Sequence, residues 1–181
     1  MDSFTFFSTQ NHNLSLPSRT AALNFIRTEG ISAGDFMDIS SRVDEKRRIF
    51  CYHVLDMMVE HEPYYLNESL GPYIKTALCE THESLKRCIS RTLLHQLKSG
   101  IVPYSKDQKQ QIIHTMFDWI ITNSWVATRV NAIEVLYYLI DEEEWIQEQL
   151  AAVIEQYMLL QEPSFVSRGK KILKLLRKRK S

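Results

Sequence analysis

Four arginines recur at a nearly fixed interval along this chain. Arg48, Arg87, Arg129 and Arg168 are separated by 39, 42 and 39 residues, and each opens an apolar-periodic stretch. Seven residues after each stands a leucine: Leu55, Leu94, Leu136 and Leu175. Ten residues after come Met58, Leu97 and Leu139, and then Lys178, where the pattern breaks. Self-similarity of this kind constrains a fold strongly. A single helix pair has nothing against which to bury its apolar stripe, so repeated pairs must stack on one another. The clearest copies lie between Ile112 and Leu176. There the chain reads helix, turn at Asn123-Ser124-Trp125, helix, then helix, turn at Gln161-Glu162-Pro163-Ser164, helix.

A period near 40 residues, two helices per unit and an arginine opening the second helix resemble HEAT and armadillo-type repeats, whose period is ~40–47 residues. The likeness covers residues 18–177, or about four units. It implies an all-α fold, a right-handed α-α superhelix of about four HEAT-like helix pairs with a concave and a convex face. The chain departs from the repeat pattern in places. A turn proline stands only at Pro163, the usual turn aspartate is missing before Arg87, Arg129 and Arg168, and the first unit is irregular.

Periodicity and caps set the expected elements. Residues 1–16 carry aromatics without a period and read as a flexible lead-in. Residues 17–177 form one repeat domain, and 178–181 a basic end. Ser18 is expected to cap a helix that Gly30 stops. Residues 30–40 read as irregular with one short helix. Ser41 and Asp44 resemble a capping box before a helix that reaches His61 and ends at Pro63. The next helix spans about 66–80, kinked or started at Gly71-Pro72. Another covers 85–98, and Ser105 with Gln108 forms an S-x-x-Q box before a helix to Thr122. A helix from Val126 to Ile140 follows. Asp141–Glu144 suits the start of the next, where acids meet the positive helix end. The last starts near Phe165. No stretch reads as a strand.

The formal net charge is zero, yet its distribution is uneven. From Arg168 onward there are eight basic residues and no acid, so the preceding 167 residues are net −8. An acidic body argues against a long phosphate track, and a basic end favours anionic contacts. Cys51, Cys79 and Cys88 form no C-x-x-C pair, and the first residues lack the pattern of a signal peptide. Reduced thiols in a cytoplasmic protein are the expectation. No apolar run approaches the roughly 20 residues of a membrane span.

Chemistry-bearing motifs are sparse. H-E-x-x-H, the P-loop, G-x-G-x-x-G and G-x-S-x-G are all absent, and the histidines do not close a metal set. No catalytic residue, cofactor or metal is expected. Cys51 and Cys88 fall on inward stripes and read as core. The richest cluster is Asp118, Trp119, Trp125, Arg129 and Trp145, around the turn between the third and fourth units. Its residue types are similar to those of HEAT-like alkylpurine DNA glycosylases, although no motif fixes the match. Packing of the turns is the plainer reading, and a binding hot spot the functional one. The second candidate is the basic end: Lys170, Lys171, Lys174, Arg177, Lys178, Arg179 and Lys180 as a polyanion contact. Its plainer role is to cap the stack, with Ile172, Leu173, Leu175 and Leu176 sealing the last unit. The expected function is a non-enzymatic scaffold that binds a protein or peptide on its concave face. The alternative is nucleic-acid binding.

Overall fold

The structure is a computed structural model and describes residues 2–10, 12–122 and 124–179. Asn123 of the expected turn and Lys180 of the basic end lie outside the described residues. The chain is all-helical, with no strand among the described residues. Its helices are α1 (Ser3–Thr9), α2 (Leu16–Glu29), α3 (Ala33–Arg42), α4 (Glu45–His61), α5 (Leu70–Ala77), α6 (Glu83–Ser99), α7 (Lys106–Ile121), α8 (Val126–Tyr138), α9 (Trp145–Met158) and α10 (Pro163–Arg179). Short 3-10 segments at Pro63–Ser69 and Ile140–Glu142 precede α5 and α9.

Local chemistry sets the ends of these helices. Ser105 accepts the Gln108 N–H, and the Gln108 side chain accepts the Ser105 N–H, which completes the capping box of α7. Gly30 and Gly100 close α2 and α6 at φ +63° and +67°, in the left-handed region where a Cβ is strained.

Several ends differ from the expectation. Ser15, not Ser18, caps α2, with Pro17 in its first turn. Asp44 caps α4 by accepting the Arg47 N–H, while Ser41 belongs to α3. The short helix expected within residues 30–40 is the ten-residue α3, which runs on to Arg42. The run 141–144 does not open α9 helically: 140–142 form a 3-10 turn and α9 starts at Trp145.

The lead-in differs most. Residues 3–9 are helical, and Phe7 is fully buried. Phe6 stacks on Phe25 at 3.9 Å, Phe7 meets Phe36 edge-on at 5.1 Å, and His12 stacks on Phe50 at 4.4 Å. Its aromatics find partners on α2, α3 and α4, which no local period reveals.

The even-numbered helices form a row. α4 packs against α2 and α6, and α8 against α6 and α10. On the other side α7 lies on α8, and α9 on both α8 and α10. The four register arginines therefore stand on consecutive members of the row. Leu55, Leu94 and Leu136 are buried beneath it, each contributing about 1.5–3 kcal/mol. Leu175 is only partly buried, where the row ends. Two of the arginines repeat one contact. Arg48 pairs with Glu80 at 3.4 Å and Arg129 with Glu162 at 2.5 Å. In both cases the acid sits just before the next helix of the row.

Candidate functional site

The cluster at the third-to-fourth unit turn does not converge. Asp118, Trp125 and Trp145 are exposed, and Trp119 and Arg129 are buried. Trp119 lies beneath the Lys86 ammonium at 5.8 Å. Trp145 packs against Phe117, with centroids 5.6 Å apart, so it belongs to the α7–α9 contact. Trp125 is 56% exposed, and its backbone N–H donates to Glu83 at 2.7 Å. The Asp118 carbonyl accepts the Thr122 N–H and hydroxyl at the end of α7.

Arg129 acts as a tie between turns. Its Nε donates to the Ser124 carbonyl at 2.8 Å, and its Nη2 donates to both carboxylate oxygens of Glu162 at 2.6 and 2.5 Å. The guanidinium carbon also stands 5.7 and 5.6 Å from the Tyr157 and Phe165 rings. Nη1 is buried without a hydrogen-bond partner. A buried charge held this way fixes the α7–α8 turn to the α9–α10 turn.

The basic end divides into two sets. Arg168 pairs with Glu134 on α8, and Arg179 with Asp141, so both arginines tie α10 to its neighbours. Lys170, Lys171, Lys174 and Lys178 are exposed and make no ion pair among the described residues. Arg177 lines the same groove as Lys170, Lys174 and Lys178. The acid run is engaged within the chain too: Glu142 accepts from Lys109 at 2.6 Å and Glu143 from Gln110 at 2.5 Å.

A polar cluster between α4 and α6 escaped the sequence reading. Asp56 is only 3% exposed. Its Oδ2 lies 3.5 Å from Arg91 Nε, and its Oδ1 lies 3.7 Å from His95 Nε2. Both Oδ1 and Nε2 are buried without hydrogen-bond partners. Arg91 also donates to Glu60 at 3.3 Å. Burial pushes the Asp56 carboxyl up to about 7 against the pull of Arg91, and it pushes the His95 imidazole down. His53, one turn earlier on α4, falls to about 4, first through burial and then through the charges of Arg19, Arg87 and Arg91. One signal was available in the sequence: Asp56 interrupts the run Val54-Leu55-Asp56-Met57-Met58-Val59 with a charge.

Ion pairs cross the even row from helix to helix. Glu60–Arg91 joins α4 to α6, Lys98–Glu134 joins α6 to α8 at 3.3 Å, and Glu134–Arg168 joins α8 to α10. Beside the last two pairs is a groove of about 120 Å³ lined by Tyr137, Tyr138, Ile172, Leu175 and Lys171. Tyr138 is 46% exposed and meets Tyr137 edge-on at 6.0 Å.

Among the described residues, no group of three or more His, Cys, Asp or Glu is placed to hold a metal ion, and no helix is long and apolar enough to cross a membrane. Compared with protein-family models, with curated proteins and with solved structures, the chain shows no match.

Proposed function

We propose that the chain is a non-enzymatic scaffold, a HEAT-like right-handed superhelix of about four helix pairs, which binds a protein or peptide partner across the even-numbered helices. We take that face as the concave one. The observation that carries this reading is the half-exposed Tyr138 beside a groove whose apolar members, Ile172 and Leu175, stand among cations. Tyrosine anchors interfaces because it offers large contact area at little entropic cost. The rungs Glu60–Arg91 and Lys98–Glu134–Arg168 hold the face in one arrangement before binding, which lowers the ordering cost on association. A cytoplasmic setting belongs to the same reading, since the three cysteines are free thiols.

Photo-crosslinking tests it. A benzophenone amino acid replaces Tyr138, with Leu14 as the control position. The same protein should crosslink at 138 and not at 14. Calorimetry with that purified partner should then show at least a tenfold loss for Tyr138→Ala and for Lys171→Glu. Unchanged affinity in both variants overturns the reading.

A second reading, nucleic-acid binding, rests on the unpaired lysines of α10. Anisotropy of labelled single- and double-stranded DNA and RNA separates it, because phosphate contacts make affinity fall steeply with salt. A role like that of the alkylpurine glycosylases draws little support. Arg129 is buried and bonded to Glu162, whereas Asp118 is exposed at the end of α7.

A further inference from the structure

α10 is the last member of the even row, so one of its sides has no neighbouring helix pair among the described residues. That side forms a trough with α9. One stretch, about 530 Å³, lies between Met158 and the α10 residues Lys170, Leu173, Lys174 and Lys178. The adjoining stretch, about 180 Å³, shares Leu173 and is walled on the α9 side by Ala151 and Glu155. Met158, Leu173 and Ala151 therefore give the trough an apolar floor.

The rims carry charge of opposite sign. Lys170, Lys174 and Lys178 recur every four residues, which places them along one edge of α10 over about 12 Å. None of the three has an acid partner among the described residues, although Arg168 and Arg179 on the same helix do. Glu155 stands alone on the α9 edge, exposed and without an ion pair among the described residues. At one end of the trough the chain leaves α9 through Leu159 and Leu160, which are 79% and 54% exposed. Two exposed leucines beside an apolar floor amount to more than scattered surface hydrophobicity.

We infer that this trough seats one amphipathic helix of a partner protein, with apolar side chains against Ala151, Met158 and Leu173 and an acidic flank along Lys170, Lys174 and Lys178. A two-helix trough receives a third helix by the same ridge-into-groove packing that stacks the row itself. The three lysines set the sign of the flank facing α10. A flat bilayer fits a concavity poorly. A second copy of this chain lacks a free acidic run to offer, since Asp141, Glu142 and Glu143 are already bonded to Arg179, Lys109 and Gln110. Nucleic acid would leave the apolar floor without a counterpart. This site is separate from the groove beside Tyr138, and the inference does not depend on it.

The test uses the full chain and three fluorescein-labelled 18-residue helical peptides. The first has leucines at i, i+3, i+4 and i+7 of each two turns and glutamates on one flank. The second carries glutamine for glutamate, and the third serine for leucine. The acidic amphipathic peptide should bind at least tenfold more tightly than either control. It should shift the Met158 methyl resonance and leave that of Met37 on α3 unmoved. The combined variant Lys170→Glu, Lys174→Glu, Lys178→Glu should lose at least tenfold in affinity for the first peptide with its helical circular dichroism and melting unchanged. Ala151→Arg, which blocks the floor without touching the lysines, should lose a similar factor. The inference is overturned by equal affinity for all three peptides, by binding that survives both variants, or by lysine-dependent binding to phosphatidylserine vesicles with none to the peptides. Lysine-dependent binding of a labelled RNA 20-mer that Ala151→Arg leaves intact also overturns it, in favour of phosphate recognition.

Discussion

Two buried charges, one in each half of the row, meet opposite fates. Arg129 in the α8–α10 half is 2% exposed and bonded to a carboxylate, a carbonyl and two aromatic faces. Asp56 in the α4–α6 half is 3% exposed, but one of its oxygens has no partner, and the Arg91 guanidinium and the His95 imidazole stand at 3.5 and 3.7 Å. The first ties two turns together. The second is driven toward its neutral form. Burial alone does not decide what a charge does to a fold; the number of hydrogen bonds it forms after losing water does.

The sharpest way to break the comparison is to remove the partner of the well-held charge. Glu162→Ala leaves Arg129 buried and unpaired and should destabilise by about 3–5 kcal/mol. Arg129→Met, which removes the buried charge along with its bonds, should cost less. Urea unfolding of the two variants checks the order, and an equal or reversed cost would show that the tie is held by packing and not by the ion pair.

At Asp56 the sign should be opposite. Its folded-state value of about 7 lies above the 3.8 of the free side chain, so the fold holds its proton more tightly than the unfolded chain does. The resulting stability is fully present below about pH 3.8 and is lost as pH rises through about 7. Asp56→Asn should therefore match the wild type near pH 4 and exceed it at pH 8 by about 2–4 kcal/mol. Denaturant midpoints across that range check it, and a variant less stable at pH 8 would mean that the Arg91 pair outweighs the desolvation.

Packing gives a control without charge. A Cβ on Gly169 would stand 2.8 Å from Ile154 Cγ2 and 3.1 Å from Met158 Sδ, so α9 and α10 would have to part. Gly169→Ala should cost about 1–3 kcal/mol, with no dependence on pH. The smallest effect is expected at His53. Its value falls from 6.5 to about 4 in the fold, so its stability is present above about pH 6.5 and is lost as pH falls through about 4. His53→Gln should flatten the acid limb of the stability profile without moving the alkaline limb that belongs to Asp56.

The sequence made some parts legible for physical reasons that particular residues show. The Ser105–Gln108 box, the Gly30 stop and the inward stripe of α4 are local, and each was readable from neighbours three or four positions away. The arginine register also marked four helices that became neighbours in the row. Other parts were not legible. Phe7 is buried by Phe36 and Phe25, residues at no fixed spacing from it. Arg129 shares its sequence cluster with Asp118, yet its acid is Glu162, thirty-three residues away. Trp125 looked like turn packing and is largely exposed, because its backbone, not its ring, is anchored.

The chain by itself determined that it is helical, where most helices run and which residues of each avoid water, since these follow from periods of three and four residues and from capping atoms close in sequence. Only the tertiary structure decided which charges are satisfied, which lysines remain unpaired and which apolar residues form a trough. Those outcomes depend on side chains brought together from helices some thirty to forty residues apart, and hydrogen bonding and burial are set by that meeting rather than by the local sequence.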